Sequence, residues 1–168
     1  MHRLQRLRSG LPLQSDITGV KGMIKEFNIL ITGVGGQGVI LMSELLGKAA
    51  VADGLRVRGS EILGMAVRGG SVTSVIRIGD EVYGPLIPTG KCNALVGMEP
   101  AEALRNIVYL SKSSLVILNT AVTIPFTVSV GESKYPTLAE ILEKLGKASG
   151  RIIKLDAAQI AQEAGSLL

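Results

Sequence analysis

The 168-residue sequence contains no tryptophan, two phenylalanines and three tyrosines. Single-stranded nucleic acid is held largely by bases stacked on aromatic rings, so this composition argues against such a partner. There is one histidine, His2, and one cysteine, Cys92. A single thiol excludes an internal disulfide. It also excludes an iron–sulfur cluster or structural zinc site built from this chain's thiolates alone. A histidine confined to the extreme N-terminus leaves no Ser–His–Asp triad and no histidine-based metal site in the body of the chain. The chain is expected to supply neither a catalytic side chain nor a metal ligand. No apolar run approaches the ~18 residues of a membrane-spanning helix. The expectation is no membrane contact, no nucleic-acid partner and a cytoplasmic location.

The net charge of +4 is concentrated at the start. Arg3, Arg6, Arg8 and Lys21 face only Asp16 in residues 1–22, whereas residues 23–168 hold 14 basic against 13 acidic residues. Residues 1–22 also lack the apolar stretch of a secretory signal. They are expected to be a basic leader outside the fold, with Met23 opening one domain over 23–168. Hydrophobic content of 46% and charged content of 19% suit a globular domain with a sizeable core.

Residues 27–32 form a short apolar run ended by glycine, which predicts a strand. Residues 37–53 repeat apolar residues at helical spacing and end at Gly54, which predicts a helix. Strands are expected at 55–60, 71–78, 93–98, 114–119 and 151–155. Helices are expected at 100–110, 137–148 and 156–164. Gly79-Asp80 reads as a hairpin turn into 81–84. Thr137 and Glu140 form a capping box by sequence, and Asp156 reads as an N-cap. Strands alternating with helices point to an α/β fold. The expectation is a Rossmann-like three-layer sandwich with a mostly parallel sheet and one β-hairpin.

Three stretches carry candidate chemistry. In the first, Gly33, Gly35 and Gly38 stand in the order G-x-G-x-x-G between a strand and a helix, with Gly36 and Gln37 between them. Such a turn aims backbone N–H groups and the helix dipole at an anion. The dinucleotide reading also asks for an acidic residue about 20 positions on, and Glu61 is the nearest. The plainer reading is a tight turn with close helix–strand packing. In the second, Arg68, Gly69 and Gly70 place a cation beside backbone N–H groups, suited to a phosphate or carboxylate. A salt bridge from Arg68 to Glu61 or to another chain is the alternative. In the third, Glu99 ends a strand at the same crevice, and Glu102 and Arg105 read as a solvated surface pair.

These three stretches, in this order and spacing, resemble the gamma-type domain of 2-oxoacid:ferredoxin oxidoreductases. The resemblance covers about residues 24–164 and is nearest to the beta-subunit type of indolepyruvate ferredoxin oxidoreductase. It implies a subunit of a complex that oxidatively decarboxylates a 2-oxoacid, passes two electrons to ferredoxin and leaves an acyl-CoA. Thiamine pyrophosphate and iron–sulfur clusters are then expected on a large partner subunit. Coenzyme A is the group expected near this chain, at Gly33, Gly35, Gly36, Gln37, Gly38, Arg68, Gly69 and Gly70, with Glu61 and Glu99 at the rim. Leu63 and Val67 depart from the His and Gln that many indolepyruvate-type members carry there. The family also continues into a further helix beyond the point where this sequence ends. A free-standing NAD(P)-binding Rossmann oxidoreductase and a purely structural subunit are the competing readings.

Overall fold

The computed structural model describes residues 24–64, 69–123 and 134–165. Strand β1, Phe27–Val34, is apolar on both faces: Leu30 and Ile31 are both fully buried and point to opposite sides. That double burial is why the stretch reads as a continuous apolar run rather than an alternating one. Helix α1, Val39–Ala52, follows, then β2, Val57–Leu63, and β3, Ser71–Ile78. Strand β4, Ala94–Gly97, leads into helix α2, Pro100–Arg105, and a single 3₁₀ turn, Ile107–Tyr109. Strand β5, Leu115–Asn119, helix α3, Leu138–Ala148, strand β6, Arg151–Leu155, and helix α4, Ala157–Glu163, complete the described elements.

The sheet order is β2-β3-β1-β4-β5-β6. Strands β1, β4, β5 and β6 are parallel, and β3 runs antiparallel to both of its neighbours. The α/β fold with a mostly parallel sheet is therefore as expected. Helix α1 covers one face over Ile31, Val72 and Ile76. Helices α2 and α3 cover the other, over Leu30, Leu95, Val116 and Leu118, with Ile141 and Leu145 of α3 fully buried. The capping box at α3 is present: Glu140 N–H donates to Thr137 Oγ1, and Thr137 N–H donates to Glu140 Oε2. Asp156 caps α4 through Gln159 N–H at 3.0 Å.

The antiparallel pair is not where the sequence suggested. The hairpin is β2–β3, registered from Val57↔Ile78 to Leu63↔Val72 and joined through 64–70. Cross-strand pairing carries β2 three residues past the expected Ser60. Residues 81–84 form no strand. Asp80 and Glu81 instead donate their N–H groups to the carbonyls of Ile24 and Lys25, which lead into β1. Helix α2 stops at Arg105 rather than near residue 110. There the Asn106 amide donates to the Glu102 carbonyl at 2.9 Å and to Thr32 Oγ1 at 3.1 Å, which favours a cap over another helical turn.

A buried cation fixes the N-terminal edge of the sheet. Arg77, 8% exposed, donates Nε–H to Asn28 Oδ1 (2.9 Å), Nη1 to the Gly84 and Leu86 carbonyls (2.8 Å each) and Nη2 to Glu26 Oε1 (2.6 Å). Hydrogen bonds from Asn28 and Arg77 hold the Glu26 carboxyl below the usual carboxylate range. A depressed folded pKa stabilises the fold above the ordinary value of 4.5, and the contribution is lost as pH falls through the folded value. Urea unfolding should show Glu26→Gln destabilised by about 1 kcal/mol at pH 7, a modest figure because Glu26 is partly exposed. The gap should close as pH falls below the ordinary carboxylate range.

Candidate functional site

In open α/β sheets ligands gather at the carboxyl ends of the strands, where connections leave to opposite sides. That point here lies between β1, which leads through α1 toward the β2–β3 side, and β4, which leads through α2 to β5. The glycine stretch sits at this edge. Gly36 and Gly38 have φ of 101° and 75°, a region that L side chains rarely adopt, and Gly38 is the N-cap of α1.

Gly33 is glycine for a different reason. A Cβ there would lie 2.6 Å from Gln37 Oε1 and 2.9 Å from Met98 Cβ. The Gln37 side chain runs across the gap between β1 and β4. Its Oε1 accepts from Val34 N–H at 2.9 Å, and its Nε2 donates to the Met98 carbonyl and to Thr123 Oγ1, each at 3.3 Å. Gln37 N–H donates to the Val34 carbonyl at 3.1 Å. Gly35 N–H donates to the Gly70 carbonyl at 2.9 Å, and Gly69 N–H faces the Gly35 carbonyl at 3.5 Å.

The structure thus brings Gly33, Gly35, Gly36, Gln37, Gly38, Gly69 and Gly70 together, as expected. It also reduces the number of free N–H donors in the glycine loop. The N–H groups of Gly35 and Gln37 are already taken within the chain, and among the described residues those of Gly36 and Gly38 are not. Arg68 lies outside the described residues. Beside the loop is an apolar cavity of about 450 Å³ lined by Val34, Val39, Ile40, Leu41, Leu63 and Val72 together with backbone of Gly35, Gly36 and Gly38.

Glu61 is not at that cavity. It lies on β2 opposite Ser74, is exposed, and is separated from β1 by the whole of β3. Two strand spacings amount to roughly 10 Å. In a dinucleotide fold the acidic residue ends the strand next to β1, so the inserted β3 removes Glu61 from a ribose-binding position.

Glu99, expected at the crevice rim, is fully buried. Its Oε2 accepts from Glu102 N–H at 2.9 Å as the N-cap of α2, and its Oε1 accepts from the Tyr135 hydroxyl. Burial, reinforced by Glu99, pushes the Tyr135 phenol above its usual pKa. The Glu102–Arg105 pair is not a solvated one either. Glu102 is 2% exposed, and its Oε2 accepts from Ser71 Oγ at 2.6 Å while Oε1 meets Arg105 Nε at 3.3 Å. Glu102 therefore anchors the base of the Gly69-Gly70 turn from beneath the sheet. Nothing in the spacing signals this, because helical spacing to Arg105 suggests only a surface pair. Cys92 is buried at the opposite edge, and burial pushes its thiol up to about 11. Among the described residues no group of three or more His, Cys, Asp or Glu could hold a metal ion, and no helix is long and apolar enough to cross a membrane.

The family model for pyruvate ferredoxin/flavodoxin oxidoreductase matches residues 28–168. The indolepyruvate oxidoreductase subunit IorB of Archaeoglobus fulgidus is 49% identical over 141 residues, covering 84% of this chain and 70% of that protein. The crystal structure of pyruvate oxidoreductase subunit PORC from Thermotoga maritima shares the fold with a TM-score of 0.59 at 23% identity, over 83% of this chain and 66% of that one. A 2-oxoglutarate:ferredoxin oxidoreductase from Magnetococcus marinus, with 2-oxoglutarate, coenzyme A and succinyl-CoA bound, gives the same TM-score at 15% identity, over 84% of this chain and 22% of that one.

The Gln37 bridge makes a direct prediction. Gln37→Ala removes the acceptor for Val34 N–H and two donors that tie β1 to the β4 and β5 ends. It should lower unfolding free energy by about 1–3 kcal/mol, with faster hydrogen exchange at the Val34 amide. Unchanged exchange at Val34 would contradict the bridge.

Proposed function

The chain belongs to the pyruvate ferredoxin/flavodoxin oxidoreductase family, and from that premise we propose that it works as a subunit of a 2-oxoacid:ferredoxin oxidoreductase of the indolepyruvate type. The observation that carries this reading is the 49% identity to an indolepyruvate oxidoreductase subunit over 84% of the chain. The complex oxidatively decarboxylates an arylpyruvate-like 2-oxoacid, delivers two electrons to ferredoxin and transfers the acyl group to coenzyme A. Thiamine pyrophosphate and the iron–sulfur clusters belong to the large partner subunit. This chain's residues suit that division of labour: its one thiol is buried and weakly acidic, and its one histidine is His2.

The part assigned to this chain is contact with the partner subunit and with coenzyme A at the edge of the shared site. Gly36 and Gly38 N–H groups would meet an anionic oxygen of the cofactor, with Gly69, Gly70 and Arg68 adding to the cradle. The apolar cavity beside them suits the uncharged arm of the same molecule rather than a second anion. Bound coenzyme A supplies the thiol that accepts the acyl group, and this chain holds and orients it.

The reading as a free-standing NAD(P) enzyme is less well supported. Gln37 fills the switch-point gap, and Glu61 lies two strands from β1. Titration of the isolated chain with NADH should give no fluorescence enhancement at micromolar cofactor, and such an enhancement would sink the subunit reading. In the assembled enzyme, Arg68→Ala should weaken apparent coenzyme A affinity about tenfold, or 1.4 kcal/mol. An unchanged affinity would instead favour a purely structural subunit.

A further inference from the structure

Two turns meet at the carboxyl edge of the sheet, the one that follows β1 and the one that leads into β3. They meet through backbone groups. Gly35 N–H donates to the Gly70 carbonyl at 2.9 Å, and Gly64 N–H donates to the Ser71 carbonyl at 2.8 Å. Gly64 packs tightly on that strand end, since a Cβ there would lie 3.1 Å from the Ser71 carbonyl oxygen. Hydrogen bonds at the end of a ladder border solvent and are the first to fray. Among the described residues, one side-chain hydrogen bond reinforces them at this strand end: Ser71 Oγ donates to Glu102 Oε2 at 2.6 Å.

Glu102 is buried, and a carboxylate is costly to bury unless donors meet it. Its second donor is Arg105 Nε at 3.3 Å, on a side chain that is 62% exposed. An ion pair to so exposed a guanidinium contributes little. A hydroxyl donating to an ionised oxygen forms the shorter and stronger kind of hydrogen bond, so the Ser71 contact dominates. The same residue also reaches the other turn. Its carbonyl accepts from Thr32 Oγ1 at 3.3 Å, two residues before the end of β1. Its own N–H is held by Glu99 Oε2 at 2.9 Å. One residue of α2 therefore touches both strands from which the two turns spring, β1 through its main chain and β3 through its carboxylate.

We propose that Glu102 is a positioning residue for the anionic ligand of this edge. Acting through Ser71, it fixes the separation between the Gly69-Gly70 turn and the N–H groups of Gly36 and Gly38. The inference rests on the coenzyme A reading and names the group that keeps the two halves of that cradle in register. Glu102 makes no contact with the ligand in this role, because its oxygens are engaged by Ser71 and Arg105. Donors spread over two turns hold an anion only while the turns keep their spacing, since hydrogen bonds weaken steeply with distance and misalignment. Without the Ser71 contact, the Gly69-Gly70 turn is left with its backbone bonds alone, and the cradle loosens on that side.

The test removes the contact from the Ser71 side, which spares the buried carboxylate. In the assembled enzyme, Ser71→Ala should raise KM for coenzyme A about fivefold, in keeping with the loss of one hydrogen bond to a charged group. Both kcat and KM for the 2-oxoacid should stay as they were. Ser71→Thr keeps the hydroxyl on a strand that suits a β-branched residue, and should restore the KM. A subunit that is merely destabilised would instead lower kcat through loss of active enzyme and leave KM alone. In the full chain by itself, Ser71→Ala should speed hydrogen exchange at the Gly35 amide. Unchanged exchange there overturns the inference, as does a raised KM that Ser71→Thr fails to restore. Faster exchange with an unchanged KM, where Arg68→Ala does raise it, also overturns the inference and leaves the coenzyme A reading standing. If neither Ser71→Ala nor Arg68→Ala moves the KM, the coenzyme A reading fails and the positioning role falls with it.

Discussion

The carboxyl ends of three parallel strands are locked together at the backbone of one residue, Met98. Its N–H donates to the Thr32 carbonyl of β1 at 2.8 Å. Its carbonyl accepts from Gln37, which follows β1, and from Asn119 Nδ2 at the end of β5, at 3.0 Å. Asn119 Oδ1 in turn accepts from Ala157 N–H at the start of α4. Loops at strand ends ordinarily have freedom to differ, because their backbone groups are satisfied by water. Here they are satisfied by one another, and a change at any of them is felt at the others. The absence of a side chain on Gly33 is the condition for this arrangement. With a Cβ in place, neither Gln37 nor Met98 could approach as it does.

A second layer of polar contacts lies directly behind that junction, and its two carboxylates would be expensive to bury alone. Glu99 and Glu102 are both buried, three residues apart on one short helix. Each is satisfied by groups from elsewhere in the chain. Tyr135 reaches Glu99 from the far side of the β5–α3 connection, and Ser71 reaches Glu102 from the start of β3. The consequence is mechanical. Tyr135, just before α3, and Ser71, at the start of β3, are both pinned by the same helical turn. Bases pinned in this way hold their geometry, which fits the proposed role of a chain that lends an edge to a site shared between subunits.

Local patterns announced the elements whose residues answer to local physics. The capping box at Thr137, the N-cap at Asp156, the positive-φ glycines and the buried strand β1 could all be read along the chain. The sheet order and the true hairpin could not. Whether β2 pairs with β1 or with β3 depends on long-range register, and the apparent turn at Gly79-Asp80 was claimed by residues before β1. The buried state of Glu99 and Glu102 was hidden for a related reason. A carboxylate goes inside only when distant donors converge on it, and Ser71 and Tyr135 lie more than thirty residues from the glutamates they satisfy. Their convergence is a property of topology, not of spacing.

The glycine stretch shows how far identical letters can part company in meaning. Gly33 is required by close approach of Gln37 and Met98, Gly36 and Gly38 by backbone conformation, and Gly35 pairs with Gly70 across two loops. In a dinucleotide fold the equivalent turn is open, because the pyrophosphate supplies the acceptors that its N–H groups lack. Here the protein supplies several of them itself, through Gln37, Val34 and Gly70. What remains among the described residues is a smaller set of donors, at Gly36 and Gly38, set against an apolar wall that continues onto Leu41 and Leu63. A fully charged ligand would gain little from that wall, and a hydrocarbon would leave the donors unanswered. A molecule with one anionic end and an uncharged arm, as we propose for coenzyme A at this loop, would satisfy both.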